Sequence, residues 1–304
     1  MTKAKRQSTH KQYNSYLIAW FDYCQQYDLS PTEATVQEAL AFIEHIRQSR
    51  KLSYSATNTV RSSLSSILKG PDGKPFGQHD FVKLYMKGVF NSQPPVPKYF
   101  DTWDPDTVLN LLKKWSPASK IDFKHLTLKV AFLILLVSGQ RVQTLAFLDI
   151  SNMKQSDSSF TFIIDKLLKQ TRPGFKNPVI KLTAYAPDRR ICVKRYLNEY
   201  LKRTETLRNN STALLLTHQA PHKPASKDTI ARWVRNVLHE AGIDTTKYSA
   251  HSVRAASVSA AKRGGAAVQE ILNTAGWASS SVFAKYYDKY IDKSVPFHVA
   301  VLGH

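Results

Sequence analysis

Apolar residues recur every three or four positions in four successive segments at the start of the chain, roughly 9–28, 31–49, 54–69 and 79–91. That is the period of a helix with one buried face, and it predicts four helices. Ser30-Pro31 followed by Glu33 reads as N-cap, first-turn proline and first-turn acid for the second, and Gly70-Pro-Asp-Gly73 breaks the third. Gln93-Pro-Pro-Val-Pro-Lys98 then interrupts the pattern with a run that no helix traverses. The expected organisation is a helical N-terminal domain over 1–92, an extended linker over 93–98 and a second domain over 99–304.

Beyond the linker, helical periodicity returns near 104–115 and 123–137. The second of these is apolar on all sides from Val130 to Val137, immediately after Lys129, and such a helix belongs at the centre of a core. Phe160-Thr-Phe-Ile-Ile164 and Val179-Ile-Lys-Leu182 have the composition of strands and flank a polar connection containing Arg172-Pro-Gly174, which predicts a hairpin. Further helices are expected at 187–204, 227–241, 251–263, 267–275 and 280–290. In the segment 227–241, Ser226 caps the start and Gly242 the end. Ile230, Trp233, Val234, Val237, Leu238 and Ala241 share one of its faces, and Lys227, Arg232 and Arg235 lie on the other. The fold class read from this order is mainly α with a small β-sheet (α+β), without internal repeats or low-complexity tracts.

Composition narrows the class. Hydrophobic residues make up 42% and charged residues 22% of 304 positions, with only 11 Gly and 14 Pro, which suits a globular chain and not a collagen-like or disordered one. Cys24 and Cys192, one in each half, build neither a disulfide framework nor a cysteine-rich zinc site and read as reduced core thiols. The longest apolar run is far below the roughly 20 residues that span a bilayer, and the opening residues lack the apolar stretch of a secretory signal, so no membrane partner is expected. Charge is more informative: 43 Lys and Arg stand against 23 Asp and Glu, for a net +20. Residues 1–100 hold +6 of it and the remainder +14. Basic charge on both bodies, rather than on a tail, suits a polyanion that both touch, and nucleic acid is the leading partner.

Three sites carry candidate chemistry. His251 and Arg254 in His251-Ser-Val-Arg254 are three apart at the start of a helix, so both can serve one phosphate, while the small residues Ala255 to Ala261 let that helix pack closely. Taken alone, the pair reads first as a solvated helix end, since two basic residues at that spacing occur by chance in many basic chains. Arg141 in Ser138-Gly-Gln-Arg-Val-Gln-Thr-Leu145 sits at the mouth of the apolar helix, where a guanidinium needs an anion or acceptors. Ala275-Gly-Trp277 precedes a segment ending in Tyr286 and Tyr287, and a tyrosine hydroxyl beside guanidinium groups is a candidate nucleophile. His218 and His222 have metal-like spacing but stand in a proline-containing loop without a thiolate, so a loop role is expected and no metal. Trp20, Tyr23 and Tyr27 at helical spacing read as core before they read as base-stacking residues. No glycine-rich phosphate loop precedes a helix, so no nucleotide cofactor is expected.

Taken in order, Arg141, the basic hairpin, His251-x-x-Arg254, Trp277 and the tyrosine pair resemble the tyrosine recombinase (phage-integrase-like) superfamily. The wording of Ser138–Leu145, Leu168-Lys-Gln-Thr-Arg-Pro-Gly174, His251-Ser-Val-Arg-Ala-Ala-Ser257 and Phe283-Ala-Lys-Tyr-Tyr287 is most similar to recombinases of eukaryotic DIRS and Crypton elements. The resemblance implies a helical core-binding (SAM-like) domain, a catalytic domain and site-specific cutting and rejoining of DNA through a 3′-phosphotyrosyl link, for mobilisation of a transposable element. It implies no metal or other cofactor, double-stranded DNA as the partner, a dimer or tetramer on that DNA, and a nuclear location in a eukaryote or the nucleoid otherwise.

In the implied roles Arg141 and Arg254 clamp the phosphate, Lys169 protonates the departing oxygen, His251 assists proton transfer, and Trp277 stands where many relatives carry histidine. Lys166, Arg172, Lys227, Arg232 and Arg235 would contact DNA. Lys166 remains an alternative to Lys169. Nine-residue spacing from position 277 selects Tyr286, whereas the DIRS-like wording Phe-x-Lys-Phe-Tyr selects Tyr287. Thr144 replaces a carboxylate that many relatives carry three residues after the first arginine, leaving that residue's partner open. A domesticated, inactive DNA-binding regulator and a topoisomerase of the same chemistry are the rival functions.

Overall fold

The computed structural model describes residues 7–95, 101–168, 171, 173–174 and 177–277, together with the backbone of 290–291. The chain divides into two compact units, Met1–Pro97 and Lys98–His304.

In the first unit the helices are α1 (Gln7–Gln26), α2 (Val36–Ser49), α3 (Tyr54–Leu64) and α4 (Asp80–Ser92). Trp20, Phe42, Ile43, Val60, Leu64, Phe76 and Val82 form their shared core. Trp20 is fully buried there, so it packs and does not stack on bases, while Tyr27 is half exposed beside Tyr23. The second helix begins later than the Ser30-Pro31 signal predicts. Thr35 is its cap: the Thr35 hydroxyl accepts from the Glu38 N–H, and the Glu38 carboxylate accepts from the Thr35 N–H at 2.7 Å. This reciprocal box satisfies two end donors, whereas the Pro31 carbonyl is committed to the Trp20 indole N–H at 2.9 Å.

The second unit is built around α6 (Phe123–Ser138), apolar on all sides as its sequence predicts. Around it pack α5 (Pro105–Lys114), α7 (Val142–Ala146), α8 (Val193–Thr204), α9 (Lys227–Glu240) and α10 (Ser252–Arg263), and α11 (Val268–Ala275) lies beside α10. Only 193–204 of the segment 187–204 is helical. The expected hairpin is β3 (Ser159–Phe162) with β4 (Ile180–Thr183), antiparallel and in the register Phe160 to Leu182. A third strand, β2 (Met153–Gln155), pairs with β3 and was not expected, since three residues are too short for alternation to show. A second sheet pairs β1 (Asp101–Thr102) in parallel with β5 (Tyr290–Ile291). Residue 290, placed by periodicity at the end of a helix, is therefore in a strand; the rest of 280–290 lies outside the described residues.

Lys129 is fully buried among the apolar residues of α6. Its ammonium donates to the carbonyls of Leu112 and Trp115, at 2.7 Å each, and lies 3.6 Å from the Tyr196 ring centre. It thus closes the C-terminal end of α5, whose last carbonyls need donors. Burial pushes its pKa down to about 7.

Candidate active site

The site begins where α6 stops. Gly139 caps the helix in the left-handed region at φ 58°, and its N–H donates to the Leu135 carbonyl at 3.0 Å. A Cβ there would meet Val258 Cγ1 at 3.2 Å and Ala275 Cβ at 3.7 Å. Backbone conformation and close approach of α10 and α11 both require glycine. The turn delivers Arg141, partly buried, to the N-cap position of α7.

Arg254 comes from the opposite side. It is the third residue of α10, 1% exposed, and its Nη1 donates to the Gly139 carbonyl at 2.6 Å. Two guanidinium-bearing elements far apart in sequence are thereby joined within two residues of Arg141. Trp277 covers the second guanidinium, with the Arg254 Cζ 4.1 Å from its ring centre. The Ser257 hydroxyl donates to the Leu136 carbonyl, and Ala255 and Ala256 are buried, so the small-residue face of α10 lies tightly against α6. His251 stands at the N-cap of α10 and is exposed, so it shares the end of the helix with Arg254 but not its burial.

Gln140 was missed in the sequence, where it reads as an ordinary polar residue of a turn. It is 1% exposed, and its amide donates to the Thr274 carbonyl at 2.6 Å while its Oε1 accepts from the Thr144 hydroxyl at 3.3 Å. Thr144, which stands in the carboxylate position, therefore faces Gln140 and ties α7 to α11. Thr144 lies only four residues away, but no local pattern signals the Thr274 carbonyl, 134 positions on.

In the hairpin connection Lys166 is exposed, with its ammonium 5.7 Å from the Phe147 ring, one residue beyond α7. Leu168 is anchored in the core at 1% exposure, and its N–H donates to the Thr171 hydroxyl at 2.9 Å. The Asn177 amide donates to the carbonyls of Ile164 and Lys166 at 3.0 and 2.9 Å, and its Oδ1 accepts from Thr171. The residues flanking Lys169 are thus braced. Lys169 itself, Arg172, Tyr286 and Tyr287 lie outside the described residues.

Lys227, Arg232 and Arg235 are all exposed on α9, opposite its buried Trp233 and Val237, as its periodicity predicts. His222 Nδ1 bonds to the Thr217 carbonyl at 2.9 Å, and burial lowers the His218 pKa beside Trp233. Among the described residues no group of three or more His, Cys, Asp or Glu could hold a metal ion. Nor is any described helix long and apolar enough to cross a membrane.

A family model described as the phage integrase family matches residues 103–292. No curated protein sequence matches the chain. Among solved structures, the XerH site-specific recombinase in a post-cleavage complex with palindromic difH substrate is 15% identical, with a TM-score of 0.62 over 92% of this chain and 76% of that one. A lambda integrase dimer bound to a COC′ core site is 17% identical, with a TM-score of 0.57 over 96% and 92%. The Tn1549 transposon integrase in complex with transposon right end DNA is 15% identical, with a TM-score of 0.55 over 89% and 84%. Likeness at these identities establishes a shared fold.

Proposed function

The chain belongs to the phage integrase family, and from that premise we propose that it is a site-specific tyrosine recombinase that cuts and rejoins duplex DNA without a cofactor. The observation that carries the reading is the junction at Gly139, whose carbonyl holds Arg254 two residues from Arg141 and under Trp277. Two guanidinium groups there offer planar, charge-assisted donors to a phosphodiester, and fixed cations stabilise the charge that builds up in a five-coordinate phosphorus transition state.

In the proposed reaction the hydroxyl oxygen of Tyr287, or of Tyr286, bonds to phosphorus while the bond from phosphorus to the 5′ oxygen breaks. The tyrosine proton passes toward His251, and the departing oxygen takes a proton from Lys169, or from Lys166 if the brace leaves that residue nearer. The 3′-phosphotyrosyl ester keeps the bond energy, so a 5′ hydroxyl can reverse the step without ATP. Exposed Lys227, Arg232 and Arg235 would meet the DNA backbone. Assembly as a dimer or tetramer on DNA, and service to a mobile element of DIRS or Crypton kind, belong to the same proposal.

The test is covalent capture. The chain is incubated with sheared genomic DNA, quenched in detergent, and protein-linked fragments are sequenced. Recovery of a shared junction sequence, with a nucleotide on a tyrosine by mass spectrometry, is expected. Salt-sensitive binding without any covalent product would replace the enzyme with a DNA-binding regulator, and relaxation of supercoils without a shared junction would favour a topoisomerase.

A further inference from the structure

The described residues on either side of the stretch that bears both candidate tyrosines each have a partner in the fold. At one end Trp277 packs over the Arg254 guanidinium. At the other, Tyr290–Ile291 pairs in parallel with Asp101–Thr102, leaving only two residues between Tyr287 and the strand. A pairing two residues long has too few backbone hydrogen bonds to hold on its own, so β1 must be fixed by other means.

Its side chains supply them. The Asp101 carboxylate accepts from the Lys247 ammonium at 2.8 and 2.9 Å and from the Tyr248 hydroxyl at 2.9 Å. The Lys247 ammonium holds the Asp101 pKa below the usual carboxylate range. Trp103, 5% exposed, donates its indole N–H to the Ser252 hydroxyl at 2.9 Å, and Ser252, the first residue of α10, donates in turn to the Ser249 carbonyl at 2.7 Å. Asp101 and Trp103 therefore grip both the turn just before His251 and the start of the helix that carries Arg254. The strand that Asp101 opens and Trp103 follows is the one that pairs with Tyr290–Ile291, just after the tyrosines in sequence.

We propose that Asp101, assisted by Trp103, is a positioning residue for the tyrosine nucleophile: it fixes β1 to the His251–Arg254 element, and β1 in turn fixes where the tyrosine-bearing segment re-enters the fold. The inference rests on the phosphotyrosyl reading above. Asp101 touches no reacting atom. Its effect is on geometry, where a displacement of about 1 Å is enough to slow a reaction about a hundredfold.

The test uses the full chain and its Asp101→Ala and Asp101→Asn variants, with two readouts. Hydrogen exchange by mass spectrometry should show amides in a peptide spanning 284–292 exchanging about tenfold faster or more in Asp101→Ala, with α6 peptides unchanged. On duplex that the wild-type chain captures covalently, single-turnover adduct formation at saturating DNA should fall about a hundredfold, while the half-saturating DNA concentration stays the same. A merely structural loss would move both constants and the exchange of α6. Asp101→Asn, isosteric and still an acceptor for Tyr248, should fall between and keeps the test open if alanine unfolds the protein. Wild-type exchange in 284–292, or a wild-type adduct rate, in both variants overturns the proposal. A wild-type chain that never forms adduct defeats the recombinase reading alone, and the exchange result then still decides whether Asp101 holds the segment.

Discussion

Arg141 and Arg254 have the same proposed role but different surroundings, and their variants should behave differently. Arg254 is buried against Gly139 and Trp277, so Arg254→Ala removes a donor from a dry site and should lower stability as well as adduct formation. Arg141 is only partly buried, which makes Arg141→Ala the cleaner test: adduct should drop by the equivalent of about 2.7 to 4 kcal/mol while DNA binding persists. Near wild-type cleavage by Arg141→Ala would remove it from the site. For the nucleophile, a helix or strand points neighbouring side chains in different directions, so one tyrosine only can reach the phosphate. Tyr287→Phe should form no adduct and Tyr286→Phe should retain it, and a DNA-linked Tyr286 peptide reverses the assignment. Lys129 has a separate consequence. Burial lowers its folded pKa from 10.5 to about 7, so between those values the unfolded chain carries a proton that the folded chain has released. Its contribution therefore makes stability rise with pH across that window, by at most about 1.4 kcal/mol per unit. Urea midpoints near pH 7 and near pH 9.5 should show this rise in the wild type and a smaller one in Lys129→Met; equal rises would show that Lys129 does not titrate there.

At the scale of elements, the site is a junction of helix ends. α6 is buried from Leu126 to Leu135, α7 begins three residues after its glycine cap, and α10 and α11 press against the same turn. Gly139→Ala should be destabilising by about 1 to 2 kcal/mol from the left-handed backbone alone, with the 3.2 Å approach to Val258 adding to it. It should also weaken cleavage more than binding, because the displaced carbonyl is the acceptor for Arg254. Thermal melting beside single-turnover cleavage measures both, and a melting loss with unaltered cleavage would show that the turn supports the fold without placing the arginine. The helix-end logic also explains an error of boundary. Ser30-Pro31 is a good start signal, but Thr35-x-x-Glu38 is a better one because both of its members find backbone donors.

At the scale of the molecule, +5 on residues 1–97 and +15 on residues 98–304 give each unit its own attraction to a polyanion. Affinity for duplex DNA should fall with added salt, with a logarithmic slope of about −0.9 for each phosphate neutralised, and each unit should contribute. Titrations at several salt concentrations, with Lys227, Arg232 and Arg235 changed to alanine together, should show a slope reduced by about 3. An unchanged slope would place that face of α9 away from the backbone.

Among the described residues, the helices other than the short α7, the apolar centre of the second unit and the hairpin were legible in the sequence, as was the order of Arg141, His251, Arg254 and Trp277 along the chain, because periodicity, caps and motif order are local properties. The same holds for the basic face of α9, where charge and apolar residues separate cleanly at 3.6 residues per turn. What the tertiary structure alone decided has no local signature. The partnership of Gln140 with Thr274, the Gly139 carbonyl as the acceptor for Arg254, the burial of Lys129 over Tyr196 and the pairing of Asp101–Thr102 with Tyr290–Ile291 each join groups whose contact depends on how distant segments pack. A side chain's polarity is written in the sequence; the partner that satisfies it, once it is buried, is settled only when distant segments meet.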